Sequence, residues 1–220
     1  MAFQTPQPPS TADDPTATYV NLSCFELLLI EIVPMAYRIA AELAAREEAW
    51  QVGKEEKDVD SESLTKGFGI GGVGGSVVGR DEEETREAVG YRLDKMGYRV
   101  GQGLVERFSR DKPRFQDTLD AIKFLCKDLW LIVFRKQIDN LKTNHRGIYV
   151  LTDNRFAPLG KMSLERGRDG MMAQAQPFLY FPAGILRGAL QAMGINATVQ
   201  AETSELPGAT FQIRTVGAKP

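Results

Sequence analysis

The chain has 220 residues, which is enough for one domain with appendages or two small domains. Its hydrophobic fraction of 43% supports a buried core, and the near balance of 27 basic and 29 acidic residues argues against the clustered basic face that nucleic-acid binding needs. No run approaches the ~20 apolar residues of a membrane span, and Met1–Asp14 lacks a signal-peptide pattern. Together these features predict a soluble, cytosolic protein.

Residues 1–17 are rich in Pro, Ser, Thr and Asp and are predicted to form a disordered tail. A helix is predicted from Tyr19, because apolar residues then recur every three or four positions. Its main stripe comprises Leu22, Phe25, Leu29, Ile32, Val33, Ala36, Ile39, Ala40 and Leu43. Leu27, Leu28 and Ile30 lie outside that stripe, so a second apolar side requires a second packing partner, which could be another chain. Pro34 is expected to kink this helix.

Residues 51–84 lose the helical pattern and are predicted to be a flexible, Gly-rich insertion within a single domain spanning 18–217. A Gly-x-Gly-x-x-Gly spacing occurs at Gly69, Gly71 and Gly74. A phosphate cradle of this type needs a preceding strand and a following helix. Here a charged segment precedes the glycines and an acidic run follows them, which argues against a nucleotide site.

Three helices are predicted in the middle of the chain. A short helix should end at Gly97, and a second should carry Leu104, Val105 and Phe108 before a break at residues 111–113. A third helix, of roughly 25 residues, is predicted from about Leu119 to Leu141. Trp130 falls off its main stripe and is expected to pack on a neighbouring element.

The C-terminal third predicts antiparallel strands around one helix. Residues 147–151 and 156–159 flank a turn at 152–155 and predict a hairpin. The helix should run from Leu179 to Met193, with Pro182 in its first turn, and Gly184 and Gly188 should let another backbone approach closely. Strands at 195–202 and 209–216 predict a second hairpin, so the fold class is α+β.

Residues suited to catalysis or metal binding are scarce. His145 is the only histidine, which excludes a His-Glu-x-x-His zinc site, and the sequence has neither a Gly-x-Ser-x-Gly elbow nor a P-loop. Cys24 and Cys126 lie in apolar helical patterns and are predicted to be buried free thiols. No cofactor, metal or catalytic residue is predicted, and the chain is not expected to be an enzyme.

One long block carries a family resemblance. It runs from Gly97-Tyr98-Arg99-Val100-Gly101 through Gln137-Ile138-Asp139-Asn140-Leu141-Lys142-Thr143-Asn144 to Gly147-Ile148-Tyr149-Val150-Leu151, with Gly184-Ile185-Leu186-Arg187-Gly188 following. This block resembles the small core subunits of the TRAPP vesicle-tethering complex, in the branch called subunit six in animals. The resemblance covers roughly residues 19–50 and 85–216.

The resemblance implies helices packed on one side of a twisted antiparallel sheet. It also implies a scaffold subunit that pairs, through N-terminal helices, with the central acylated small subunit. The complex tethers ER-derived vesicles at the cis-Golgi and exchanges nucleotide on a Rab GTPase through other subunits. Candidate partner-interface residues are Phe25, Leu27, Leu28, Ile30, Ile32, Met35, Tyr98 and Val100.

One departure from the central subunit concerns its acylated cysteine, which follows the Gly-Tyr-x-x-Gly block. Residues 110–116 contain no cysteine, so acylation is not expected here. Two other functions stay open at this point. A lipid or acyl carrier would need an open apolar cavity, and an enzyme of another type would need site chemistry that the sequence does not display.

Overall fold

The computed structural model describes residues 21–58, 82–110, 115, 117–144, 147–162 and 168–216. The predicted N-terminal tail, the Gly-x-Gly-x-x-Gly spacing, the break at 111–113 and His145 lie outside these ranges. The helices are α1 (Leu22–Asp58), α2 (Glu82–Phe108), α3 (Thr118–Phe124), α4 (Trp130–Phe134), α5 (Arg168–Ala175) and α6 (Pro177–Ala192), and a π-helical segment, Leu125–Leu129, joins α3 to α4.

Four strands form one antiparallel sheet: β1 (Asn140–Thr143), β2 (Ile148–Asp153), β3 (Ala197–Glu202) and β4 (Ala209–Thr215). Their order is β1-β2-β4-β3. Buried side chains alternate along β2 and β4, so one face of the sheet meets the helical layer. The predicted α+β class, with helices on one side of an antiparallel sheet, is confirmed.

The predicted insertion is too long at both ends. Helix α1 continues through Asp58, and α2 already begins at Glu82. Pro34 lies inside α1 without ending it. Residues 59–81, the remainder of the predicted insertion, lie outside the described part of the chain.

The two short helices predicted around Gly97 are wrong, because α2 runs unbroken through this segment. Gly97 and Gly101 instead lie against α6. A Cβ atom added to either glycine would stand 2.1 Å from a backbone carbonyl oxygen, that of Phe181 or of Ile185. The absent side chains therefore serve close helix packing and not helix termination.

The predicted role of Gly184 and Gly188 is confirmed by the reciprocal contact. An added Cβ would lie 2.2 Å from the carbonyl oxygen of Asp94 at Gly184, and 2.0 Å from that of Tyr98 at Gly188. Glycines thus face a backbone on both sides of the α2–α6 contact, the most extensive between helices in this fold. The C-terminal helix itself begins at Pro177, so Pro182 lies in its second turn and not, as predicted, in its first.

The helix predicted to reach Leu141 ends at Phe134. Arg135 adopts a left-handed conformation with φ 59°, and the amide of Asp139 then donates to the carbonyl of Thr152 at 3.1 Å. Residues 140–143 pair with β2, so the first hairpin is β1–β2, and residues 156–159 form turns where a strand was predicted. Strand pairing supplied hydrogen bonds that outweighed a continuous helical pattern of apolar residues.

Trp130 forms the centre of an aromatic cluster between the helices and the sheet, as expected of a residue that packs on a neighbouring element. Its ring centroid lies 4.5 Å from that of Phe134, 6.0 Å from that of Phe156 and 5.2 Å from that of Phe211. Edge and tilted contacts at such distances suit the ring quadrupoles. Leu119, with which the predicted third helix begins, is exposed.

A charged cluster connects the end of α4 to the end of β2. The carboxylate of Asp153 is fully buried and accepts hydrogen bonds from Trp130 Nε1 at 2.9 Å and Lys136 Nζ at 2.6 Å. Lys136 Nζ also donates to Asp139 Oδ2 at 2.9 Å, and that oxygen accepts the Asn154 amide at 2.7 Å. Because a buried charge without partners is costly, this arrangement constrains where the chain turns from helix to sheet.

We expect Gly101→Ala to destabilise the domain by about 1–3 kcal/mol or more, because the methyl group would displace the α6 backbone. Gly103→Ala is the matched control, since an added Cβ there meets nothing within 4 Å. It should stabilise the exposed helix by about 0.5–1 kcal/mol. Urea unfolding measures both, and equal effects of the two substitutions would contradict the packing role of Gly101.

We expect Lys136→Met to cost about 3 kcal/mol, because it leaves a buried carboxylate without its counter-ion. Lys123→Met is the matched control, because the Lys123–Asp120 pair is solvent-exposed on both sides and should contribute below about 1 kcal/mol. Urea unfolding measures the loss of stability in each variant, and equal losses would contradict the stabilising role of the buried cluster.

The pH dependence should follow the same cluster. The hydrogen bond from Lys136 lowers the pKa of Asp139, with burial acting in the opposite direction. Burial lowers the pKa of Lys136, but its bonds to Asp153 and Asp139 outweigh that effect and raise it. The stability that Asp139 contributes is therefore present above about pH 4 and lost in acid, and that of Lys136 is present below about pH 10 and lost in base. In Lys136→Met, the free energy of unfolding should therefore depend less on pH, both in the acidic and in the basic range.

Candidate functional site

Helix α1 contacts the rest of the domain along one stripe. Its most buried residues are Leu29, Ile32, Val33, Ala36 and Ala40. These positions recur at steps of three and four, so they share one helical face. The face packs mainly against α2 and, to a smaller extent, α6.

A second set of apolar side chains on α1 faces outward. Leu27 is 65% exposed, Leu28 is 57% exposed, and Ile30 and Pro34 are also exposed. In a domain whose core is filled, several large apolar groups on one helix mark a contact surface more strongly than scattered ones do. We call residues 25–39 on the outward side of α1 the α1 surface.

Part of the α1 surface has the spacing of a helix–helix seam. Phe25, Leu28, Met35 and Ile39 form this seam together with Ile32, which is itself buried, and the five are separated by three, four, three and four residues. Phe25, Met35 and Ile39 are half-buried, and Leu28 is exposed. Alternating steps of three and four keep side chains facing a second helix, as in coiled-coil packing.

The structure separates the sequence-predicted interface residues into three groups. Phe25, Leu27, Leu28, Ile30 and Met35 lie on the α1 surface with side chains at least partly accessible. Ile32 is only 6% exposed and belongs mainly to the core. Tyr98 and Val100 lie on α2.

Tyr98 already has a partner within the chain. The guanidinium of Arg187 stands 4.5 Å from the centroid of its ring, and that guanidinium also pairs with the carboxylate of Asp94. Val100 is exposed. Tyr98 and Val100 both lie on α2, a different helix from the one that carries the α1 surface.

Four accessible apolar residues of α1 differ from the sequence-based prediction. Leu22, Ile39 and Leu43 were placed in the core stripe, but Ile39 is half-buried and Leu22 and Leu43 are exposed. Trp50 is 70% exposed and had not been singled out. The three-four spacing from Phe25 to Ile39 was the signal that could have identified the seam.

A hollow of about 400 Å³ lies beside the α1 surface. It is bordered by Val33, Pro34 and Tyr37 of α1 and by Met162 and Phe178 of the segments opposite. Nearby, Lys161 forms an ion pair with Glu26 of α1. The mostly apolar lining suits insertion of an apolar side chain from a neighbouring molecule.

Metal and membrane chemistry receive no support from the described residues. Among them, no group of three or more His, Cys, Asp or Glu side chains could hold a metal ion. None of the helices in the described ranges is both long and apolar enough to cross a bilayer.

A family model decides the relationship of this chain to known proteins. The model of the transport protein particle (TRAPP) component matches residues 25–216, nearly the whole described domain. The chain belongs to the TRAPP family.

Relatives of this TRAPP chain indicate its branch. It is 52% identical over 122 residues to trafficking protein particle complex subunit 6b of Danio rerio, covering 56% of this chain and 76% of that protein. It is 51% identical over 122 residues to human subunit 6B, with 56% and 75% covered. These similarities confirm the predicted resemblance to the subunit six branch.

Two further matches extend over more of the TRAPP chain. An uncharacterized protein of Schizosaccharomyces pombe is 34% identical over 196 residues, which cover 89% of this chain and 64% of that protein. A solved structure of trafficking protein particle complex subunit 3 from Naegleria fowleri, covalently bound to palmitic acid, superposes with a TM-score of 0.51. It shares 15% sequence identity and covers 83% of this chain and 99% of that chain, so it supports the fold.

The two cysteines of the TRAPP chain differ in environment. Cys24 is exposed, which corrects the prediction that both thiols are buried, whereas Cys126 is buried and both are free. Cys24 lies near the start of α1, where the apolar pattern includes side chains that face solvent. Burial raises the pKa of Cys126 to about 12, against a small opposite effect of Lys127, so its thiolate is suppressed.

We expect Cys24 to react with maleimide in the native protein at about pH 8 and Cys126 to react only after unfolding, because the thiolate is the nucleophile. The intact mass of the protein before and after labelling measures the number of reacted thiols, and Cys24→Ser isolates the buried thiol.

We further expect no fatty acid on Cys126. A hydroxylamine-labile mass addition at that residue in protein from eukaryotic cells would contradict the prediction.

Proposed function

We propose that this chain is a non-catalytic scaffold subunit of the TRAPP complex that acts in ER-to-Golgi vesicle tethering. Its partner would be the central acylated small subunit of the complex. Together they would support nucleotide exchange on a Rab GTPase that other subunits carry out, in the cytoplasm at the periphery of cis-Golgi membranes and ER-derived vesicles. The observation that carries the proposal is the α1 surface, an apolar helix face that the described residues of the domain leave uncovered.

The α1 surface is long enough to contribute to a stable interface. Residues 25–39 extend over about 22 Å of the helix axis. A stable interface buries about 1,200–2,000 Å² in total, so this face would supply one part of that area. Leu27 and Leu28 would act as central anchors, and the hollow beside Pro34 would receive a side chain of the partner.

The chemistry of the described residues favours a scaffold over the two alternatives. A lipid carrier requires an open apolar cavity, but Trp130, Phe156 and Phe211 fill the centre of this core. An enzyme requires activated groups, but the most perturbed thiol, Cys126, is held in its unreactive form. The fully buried carboxylate of Asp153 bonds to structural partners.

We expect the chain to form a one-to-one heterodimer when co-expressed with a subunit 3 homologue, measured by size-exclusion chromatography with light scattering. The double substitution Leu27→Glu, Leu28→Glu should raise the dissociation constant at least about 30-fold, corresponding to about 2 kcal/mol at a central anchor. Both side chains are exposed in the free domain, so unfolding of the variant chain alone should change little.

Val216→Glu is the matched control, because it also places a carboxylate on an exposed apolar position, 77% accessible, but beyond the end of β4. It should leave the heterodimer intact. If the chain remains a monomer and does not bind the subunit 3 homologue, the proposed partnership is contradicted. Equal weakening by the control would contradict the use of the α1 surface.

A further inference from the structure

Strand β3 lies at an open edge of the sheet. Within the described part of the chain, β4 is its one strand partner, paired in register over six residues from Ala197 to Glu202. An edge strand presents unpaired amides and carbonyls that can bond another extended chain. The outer side of β3 is therefore a candidate site for an added strand.

The register identifies which backbone groups point outward. The amide of Val216 donates to the carbonyl of Asn196 at 2.8 Å, so this opposed pair is of the hydrogen-bonded type. In an antiparallel ladder such pairs alternate, which directs the backbone of Thr198, Gln200 and Glu202 toward β4. The amides and carbonyls of Ala197, Val199 and Ala201 then face the open side.

One of these outward carbonyls, that of Ala201, already accepts a hydrogen bond from a side chain. Gln176, just before α6, donates through Nε2 to the carbonyl of Ala201 at 2.8 Å. The side chain thus makes the type of bond that an added strand would make. Val199, two residues earlier, directs its own amide and carbonyl to the same side.

The two sheet edges differ in how they are protected. The opposite edge, β1, has four residues and includes Lys142, and short strands and lysines discourage edge pairing. β3 has six residues, Ala-Thr-Val-Gln-Ala-Glu, without proline or lysine, and its one-to-one register leaves no bulge. Of the two, β3 is the edge built like a pairing surface.

A groove of about 910 Å³ runs along β3 and between it and the first turns of α2 and α6. Val199 and Ala201 line it on the strand side, and Pro177, Tyr180 and Ala183 line it on the α6 side. The ring of Tyr180 approaches α2 because Gly90 lacks a side chain: an added Cβ would lie 3.3 Å from its Cε2. The groove therefore offers apolar surface to side chains of an incoming strand.

The rim of the groove is acidic. Glu83, Glu87 and Glu202 contribute three carboxylates, and Arg86 contributes one guanidinium. Asp94, also on the rim, is paired with Arg187. A net negative rim around an open strand favours a positively charged segment and disfavours an acidic one.

We propose that β3 and this groove bind an extended, positively charged peptide segment of a partner protein, which adds to the sheet as a fifth strand. Backbone bonds to Ala197 and Val199 supply affinity, together with a bond to the Ala201 carbonyl once the strand displaces Gln176 from it, and the acidic rim selects Lys and Arg at alternate positions. The site does not involve the α1 surface and stands whether or not the proposed heterodimer forms.

The probe is a labelled octapeptide of sequence Thr-Lys-Val-Lys-Thr-Lys-Val-Lys, titrated into the full chain by fluorescence anisotropy. Its counterparts are the same peptide with Glu for Lys, and the same peptide N-methylated at alternate residues. We expect binding of the basic peptide, weakening as salt increases, and at least tenfold weaker binding of both counterparts. Amide hydrogen exchange at Val199 should slow on binding.

Variants of the chain separate backbone from side-chain recognition. Val199→Pro removes the outward amide at an edge position where proline is tolerated, and should weaken binding at least tenfold. Val199→Ala keeps that amide and should bind nearly as the natural chain does. The double substitution Glu83→Gln, Glu87→Gln should lower the affinity for the basic peptide and reduce the difference in affinity between the basic and the acidic peptide.

Several results would overturn the proposal. They are absence of binding, equal binding of basic and acidic peptides, or binding unchanged by Val199→Pro. If Val199→Pro alters self-association without any peptide, the edge pairs with a second copy of the chain and the peptide proposal fails. Should that variant not fold, the N-methylated peptide on the natural chain decides, because equal affinity of the two basic peptides would exclude strand addition.

Discussion

Contact between the backbones of α2 and α6 sets the geometry of the whole domain. Gly97 and Gly101 on one helix and Gly184 and Gly188 on the other remove the side chains that would otherwise hold the axes apart. This contact positions helix α2, which also packs against α1. Helix α6 leads through Gly194, at φ 80°, into β3, so the same contact also positions one edge of the sheet.

In the part of the chain that the structure describes, this arrangement leaves two surfaces open, and they differ in chemistry. The first is apolar: α1 covers the domain with one stripe and leaves Leu27 and Leu28 facing outward. The second is polar: β3 is the last strand of the sheet, and its outward amides and carbonyls lie beside a groove with an acidic rim. A domain built in this way suits a subunit that contacts more than one neighbour, because hydrophobic burial and strand pairing select different partners.

Apolar periodicity predicted the elements whose packing follows local pattern. The helix containing Leu29 and Ala36, the C-terminal helix and the β3–β4 hairpin were all found near their predicted positions. Two of the errors in the elements arose where a distant element supplied the deciding interaction. Gly97 has the local pattern of a helix end, but its missing side chain lets α6 approach. The apolar pattern that extends to Leu141 is typical of a helix, but Asn140–Thr143 pair with β2 instead.

The sequence by itself determined the fold class, the family resemblance and the excess of apolar side chains on the first helix, because each depends on residue type and local spacing. Tertiary structure alone decided which of those side chains remain accessible: Ile32 entered the core while Leu28, four residues earlier, stayed outside. It also decided the ends of the sheet, since strand order depends on pairing between distant segments. Burial and pairing are properties of relative position, and periodicity within one segment does not specify them.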